Sequence, residues 1–118
     1  MIGAWESVVF DCEDPEVLAS FYEEVLGMVR VQTDPDWITI GDGPDRPAIA
    51  FQRVDVYVPP EWPGHVHPQQ AHLDIKVRDL DLGEEQVLKL GATSMNAGSE
   101  SFRVYLDPQR HPFCLVKW

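Results

Sequence analysis

An α+β fold built from two tandem βαβββ units is what this sequence predicts, and three observations predict it. Short apolar, β-branched runs flank two segments of helical periodicity. The order of these elements repeats once along the chain, and a proline-rich stretch separates the two copies.

In the first copy the run ESVVFDC reads as a strand, and Asp14-Pro15 follows it. Asp14 is suited to cap a helix, and Pro15 to its first turn, where a missing N–H would have had no partner. Leu18, Phe21, Tyr22, Val25 and Leu26 recur at three- and four-residue spacing and paint one apolar face, which Gly27 is placed to end. Three strand-like segments follow, MVRVQT, DWITIG and PAIAFQRV, separated by Asp-Pro and by the Gly-Asp-Gly-Pro cluster. The second copy keeps this order: AHLDIKV, a helix from Arg78-Asp79 through Glu84, Val87 and Leu88 to Leu90-Gly91, then TSMNA, FRVYLD and HPFCLVKW. Ser7 and His72, Asp14 and Asp79, and Pro47 and Pro112 are each 65 positions apart. A near-constant offset through two whole units points to duplication, although identity between the halves is low.

The boundaries that follow are a single domain over 1–118, with module one at 1–53, a linker at 54–68 and module two at 69–118. A unit of this size has too little core to be comfortable alone, which is a physical reason for the two to pair. Prolines in VDVYVPPEWPGHVHPQQ stiffen the linker toward extended structure.

With 44% hydrophobic and 25% charged residues the composition is that of a globular protein, and no apolar run is long enough to span a bilayer. Twenty acidic residues against nine basic ones give a net charge of −11, a field that repels phosphate backbones and anionic lipid, so neither nucleic acid nor membrane is expected as a partner. The N-terminal segment has no basic stretch leading into an apolar one, and a cytoplasmic location is expected. The two cysteines, Cys12 and Cys114, lie in strand-like runs and read as buried thiols.

The segment VVFDCEDPEVLASFYEEVLGM resembles the opening of the vicinal-oxygen-chelate superfamily, which includes glyoxalases, bleomycin resistance proteins and dihydroxybiphenyl dioxygenases. HLDIKVRDL resembles the start of its second module, and YLDPQRHPFCLV the turn and strand that close it. The linker and its flanks, FQRVDVYVPPEWP and PQQAHLDI, look like the glyoxalase-like domain subgroup. This resemblance implies curved mixed sheets around a cavity, a homodimer, and, in the metalloenzymes, ligands from the first and fourth strands of each module. Such a metal acts as a Lewis acid on substrate oxygens.

Carried over residue by residue, the ligand pattern falls on Ser7, His72 and Cys114, with Gln52 the one plausible donor on the fourth strand of module one. Only His72 matches. No resident metal is therefore expected; the alternative is a divalent ion centred on His72, for which imidazole and thiolate would suit zinc. His72 itself reads equally as a cavity-facing proton donor or acceptor and as a hydrogen-bonded strand histidine. His65 and His67 in the linker could add ligands or face solvent, and His111 reads as a turn residue. Asp74 and Glu13 could serve as general bases, though capping and solvation explain them as well. Trp37, Phe51, Trp62 and Tyr105 are expected to join His72, Gln52, Ser7 and Cys114 around a ligand, since aromatic side chains on a concave sheet stack on planar molecules.

Three functions fit these residues: a metal-independent protein binding a small organic ligand in the sheet cavity; a metal-dependent lyase, isomerase or dioxygenase with a degenerate ligand set; and a structural module whose cavity is filled. Binding is the leading expectation. No catalytic residue is assigned.

Overall fold

A computed structural model describes residues 1–118. It contains β1 (Val8–Cys12), α1 (Pro15–Leu26), β2 (Val29–Asp34), β3 (Trp37–Gly43), β4 (Arg46–Arg53), β5 (Leu73–Val77), α2 (Leu80–Lys89), β6 (Thr93–Gly98), β7 (Phe102–Leu106) and β8 (Pro112–Lys117). The chain divides into two compact units, Met1–Tyr57 and Val58–Trp118, each a βαβββ module. The part of the linker from Val58 onward thus goes with the second unit.

Each unit forms one four-stranded sheet, ordered β1-β4-β3-β2 in the first and β5-β8-β7-β6 in the second. The first and last strands of a unit pair in parallel and the remaining neighbours are antiparallel. A parallel pair cannot be joined by a tight turn, so the chain crosses the sheet as a helix and returns as a meander.

The helices begin where the sequence predicts. Asp14 accepts a hydrogen bond from the Glu16 amide and Asp79 from that of Leu82, both at 3.0 Å. Gly27 takes φ +67, a left-handed conformation that costs glycine little and ends α1. Gly83 lets α2 approach its sheet closely, because a Cβ there would lie 3.1 Å from Leu115 and 3.3 Å from Val77.

One face of each sheet packs on the helix. In the first unit Tyr22 of α1 stacks on Phe51 of β4 with ring centroids 5.7 Å apart, and Phe51 also stacks on Phe10 at 6.4 Å. Leu18, Ile38, Ile40 and Ile49 complete this core. In the second, Tyr105 and Phe113 stack at 5.5 Å beside Ile75, Val87 and Leu115. An arginine ties each helix to its sheet: Arg30 of β2 bonds Glu16 and Glu23 of α1, and Arg103 of β7 bonds Asp81 and Glu84 of α2. Cys12 and Cys114 are buried thiols that form no disulfide. No helix is long and apolar enough to cross a membrane.

The aromatic stack under α1 should dominate the stability of the first unit. Phe51→Ala removes a fully buried ring and should cost about 3–5 kcal/mol in equilibrium denaturation. Val29→Ala, on a half-exposed edge, should change stability by less than about 1 kcal/mol. Comparable losses at the two positions would contradict the placement of the core.

Candidate functional site

Because side chains alternate along a strand, the face of the second sheet turned away from α2 carries a fixed set of residues. On β8 these are Pro112, Cys114 and Val116, since Phe113 and Leu115 pack in the core. Parallel register sets Asp74 of β5 directly beside Cys114, and antiparallel register sets Val104 of β7 on its other side. His72, two residues before Asp74, falls on the same face just outside β5.

The β7–β8 turn enforces this register. Its buried Asp107 accepts hydrogen bonds from the Gln109 amide at 2.9 Å and the His111 amide at 3.0 Å, while Arg110 takes φ +70. His111 therefore has the turn role its sequence context suggests. A second local device closes the other side: the Glu61 amide donates to the His67 carbonyl at 2.6 Å, and Glu61 bridges to Pro68. That clasp holds Trp62 and Gln69 against the sheet.

Together these elements enclose a cavity of about 410 Å³ lined by Trp62, Gln69, His72, Asp74, Ser101 and Phe102, with Val104, Pro112, Cys114 and Val116 completing the wall. The volume lies in the range of about 300–1,000 Å³ typical of small-molecule pockets. Most of the wall is apolar, and His72, Asp74 and Cys114 form a polar cluster within it. There His72 Nε2 lies 3.2 Å from Asp74 Oδ1, with both side chains partly exposed, at 39% and 63%. Cys114 is buried beneath them, and burial pushes its thiol upward, with the charge of Asp74 and a hydrogen bond to it adding in the same direction. The thiol form is thus held, and nucleophilic attack by a free thiolate is disfavoured.

One ligand atom from each of His72, Asp74 and Cys114 lies within 4.8 Å of the other two. Imidazole, carboxylate and thiol can converge on one divalent ion, and a thiol in the set matches zinc better than an ion that prefers oxygen.

Of the residues expected around a ligand, His72, Trp62 and Cys114 line this cavity. Phe51 and Tyr105 do not. Both are fully buried on the helix side of their sheets, Phe51 against Tyr22 and Tyr105 against Phe113, so alternation turns them away from any open face. Tyr105 keeps its hydroxyl among buried groups, and burial followed by the charge of Glu84 pushes its phenol up to about 12. Ser7, Gln52 and Trp37 belong to the first unit and are not among the cavity-lining residues. Gln52 sits abreast of Asp11 and Trp37, whose indole N–H donates to Thr39 at 2.9 Å. The register also shows that the counterpart of Cys114 in the first unit is Ala50, paired with Val9 as Cys114 is with Asp74, and not Gln52. His65 and His67 are exposed and line nothing here.

Asp74, weighed only as a general base, and Gln69 were not among the residues expected to line the cavity. Asp74 had a signal, since a residue two positions beyond a cavity-facing His72 shares its face. Gln69 had none, because the clasp that positions it is irregular backbone.

The family model described as glyoxalase-like domain matches residues 7–116. No curated protein matches. Among solved structures, the chain is similar to a glyoxalase/bleomycin resistance protein/dioxygenase family enzyme from Burkholderia phytofirmans PsJN, with TM-score 0.72, 17% identity, and coverage of 95% of this chain and 96% of that one. It is also similar to the fosfomycin resistance protein FosX from Mesorhizobium loti, with TM-score 0.70, 19% identity, and coverage of 100% and 93%. A mutant FosX from Listeria monocytogenes, solved with Mn(II) and dihydroxypropylphosphonic acid, matches with TM-score 0.70 and 13% identity over 99% of this chain and 93% of that one.

The coupling between Cys114 and Asp74 is measurable. Iodoacetamide should alkylate Cys114 slowly at about pH 8, because its pKa lies above the ordinary thiol value of about 8.5. Asp74→Asn removes one of the influences that raise it, so the rate at that pH should increase; Cys12, with no exposed surface, should stay silent in the native state. An unchanged rate would contradict the contact.

Proposed function

We propose, since the chain belongs to the glyoxalase-like domain family, that it binds a small organic ligand in the cavity of its second unit and requires no metal to do so. The observation that carries this reading is a cavity of ligand size with largely apolar walls and a polar cluster at His72, Asp74 and Cys114, the arrangement in which burial supplies affinity and a few polar groups fix orientation. Trp62 and Phe102 offer ring faces, Val104 and Val116 the floor, and His72 with Asp74 the anchor. No bond need be made or broken for this role. A two-fold dimer belongs to the same reading, supported by apolar side chains left exposed in both units, Val9, Val29 and Phe102 among them.

A second reading, a metal-assisted lyase, isomerase or dioxygenase, is favoured by one specific observation, the convergence of His72, Asp74 and Cys114. These three would hold the ion, which would supply Lewis acidity toward a bound oxygen. His72 and Asp74 would then act as ligands and not as the ligand-orienting pair.

Two variants separate the readings. His72→Ala truncates a partly exposed side chain, so denaturation should shift by no more than about 0.5 kcal/mol, while a neutral environment-sensitive dye such as Nile red should bind more weakly. Val116→Trp, which fills the cavity from β8, should abolish dye binding. Stoichiometric zinc in protein purified without chelator, lost in Cys114→Ser, would establish the second reading in place of the first.

A further inference from the structure

We infer that the cavity of the second unit selects cations: its ligand carries an ammonium or amidinium group at Asp74 on an apolar body held by Trp62, Phe102, Val104 and Val116. This rests on the reading of that cavity as a ligand site and adds the chemical class of its occupant.

Asp74 is the only carboxylate of the wall, and no lysine or arginine lines it; the one basic side chain there is His72, whose Nε2 lies 3.2 Å from Asp74 Oδ1. The cations nearest in sequence are committed elsewhere. Lys76, the next residue of β5 on the same face, places its Nζ 5.3 Å from the Trp118 ring centroid, and the Arg78 guanidinium lies 5.6 Å from the same ring. Arg103 points to the opposite face, where Asp81 and Glu84 hold it. An anionic ligand would enter a protein of net charge −11 and find no lysine or arginine in the wall to offset it. A phosphonate of the kind bound in the Listeria FosX structure is such a ligand.

The hydrogen-bond inventory points the same way. Asp74 can only accept; His72 Nε2 already lies 3.2 Å from its Oδ1, and with the side chain 63% exposed a further donor in the cavity can reach it. Gln69 Oε1 is buried and has no hydrogen-bond partner. A buried acceptor without a donor is costly, and since Gln69 lines the cavity, a turn of its side chain toward a ligand N–H would relieve that cost. Both polar features thus ask for donors. Trp62 and Phe102 in the wall add a preference for positive charge wherever a ring face meets the ligand, because that face is the negative side of the quadrupole.

The test uses three probes of matched shape, tryptamine, 3-propylindole and indole-3-propionate, titrated by nuclear magnetic resonance into chelator-treated protein. Tryptamine should bind at least about fivefold more tightly than either partner, and Asp74→Asn should erase that advantage. Asp74→Glu should keep it, and Gln69→Leu should weaken tryptamine more than 3-propylindole. Equal or tighter binding of the neutral or anionic probe, or an unchanged preference in Asp74→Asn, overturns charge selection while leaving the cavity as a ligand site. Tryptamine binding that appears only when zinc is added back also overturns it, since the ion and not the carboxylate would then hold the amine. Failure of all three probes to perturb the cavity residues overturns the ligand-site reading and this inference together.

Discussion

In each unit the first strand pairs in parallel with the last, β1 with β4 and β5 with β8, and this pairing governs where everything else can go. The chain must leave the first strand, cross the sheet as a helix and return by a three-strand meander to reach its partner. One face is then covered by that helix and the other is left open. On the open face of the second unit the same pairing brings Asp74 against Cys114, with His72 one alternation away. The polar cluster of the cavity is therefore a direct consequence of strand register, and the buried Asp107 turn that fixes β7 against β8 supports it from the other side.

The architecture was legible because each of its signals is local. Asp14-Pro15 and Arg78-Asp79 mark helix starts, Gly27 marks an end, and the 65-residue offset reveals the repeat without any tertiary information. The site was only partly legible. His72 and Cys114 emerge from position within the unit, and both reach the cavity. Phe51 and Gln52 could never have shared one face, being neighbours in a strand, and strict alternation applied to β4 would have removed Phe51 from the pocket. Tyr105 is the same error on β7, where Val104 takes the cavity side. Asp74 was left between a general base and a capping or surface group; its place at the site depends on which residue of β8 lies opposite, and pairing register is not encoded in either strand alone.

The same fold holds different chemistry in its relatives, and the first unit shows how little need change. Where the second unit has Asp74 beside Cys114, the first has Val9 beside Ala50, the same register without a donor. The two units share their backbone geometry while the open faces differ: the first carries Asp11, Gln52, Trp37 and Thr39 beside Val9 and Ala50, and the second a carboxylate, an imidazole and a thiol. At 10–20% identity, likeness to the solved structures carries the fold and not the ligand. The wall of this chain's own cavity combines apolar surface with one carboxylate and one imidazole, and carries no lysine or arginine.

The central claim is that the open face of the second sheet, at the junction of β5 and β8, is where this protein meets its ligand. A crystal structure grown with tryptamine tests it most directly. The account predicts the indole between Trp62 and Phe102 with its ammonium nitrogen within hydrogen-bonding distance of Asp74; an indole seated instead among Ser7, Gln52 and Trp37 of the first unit would contradict it.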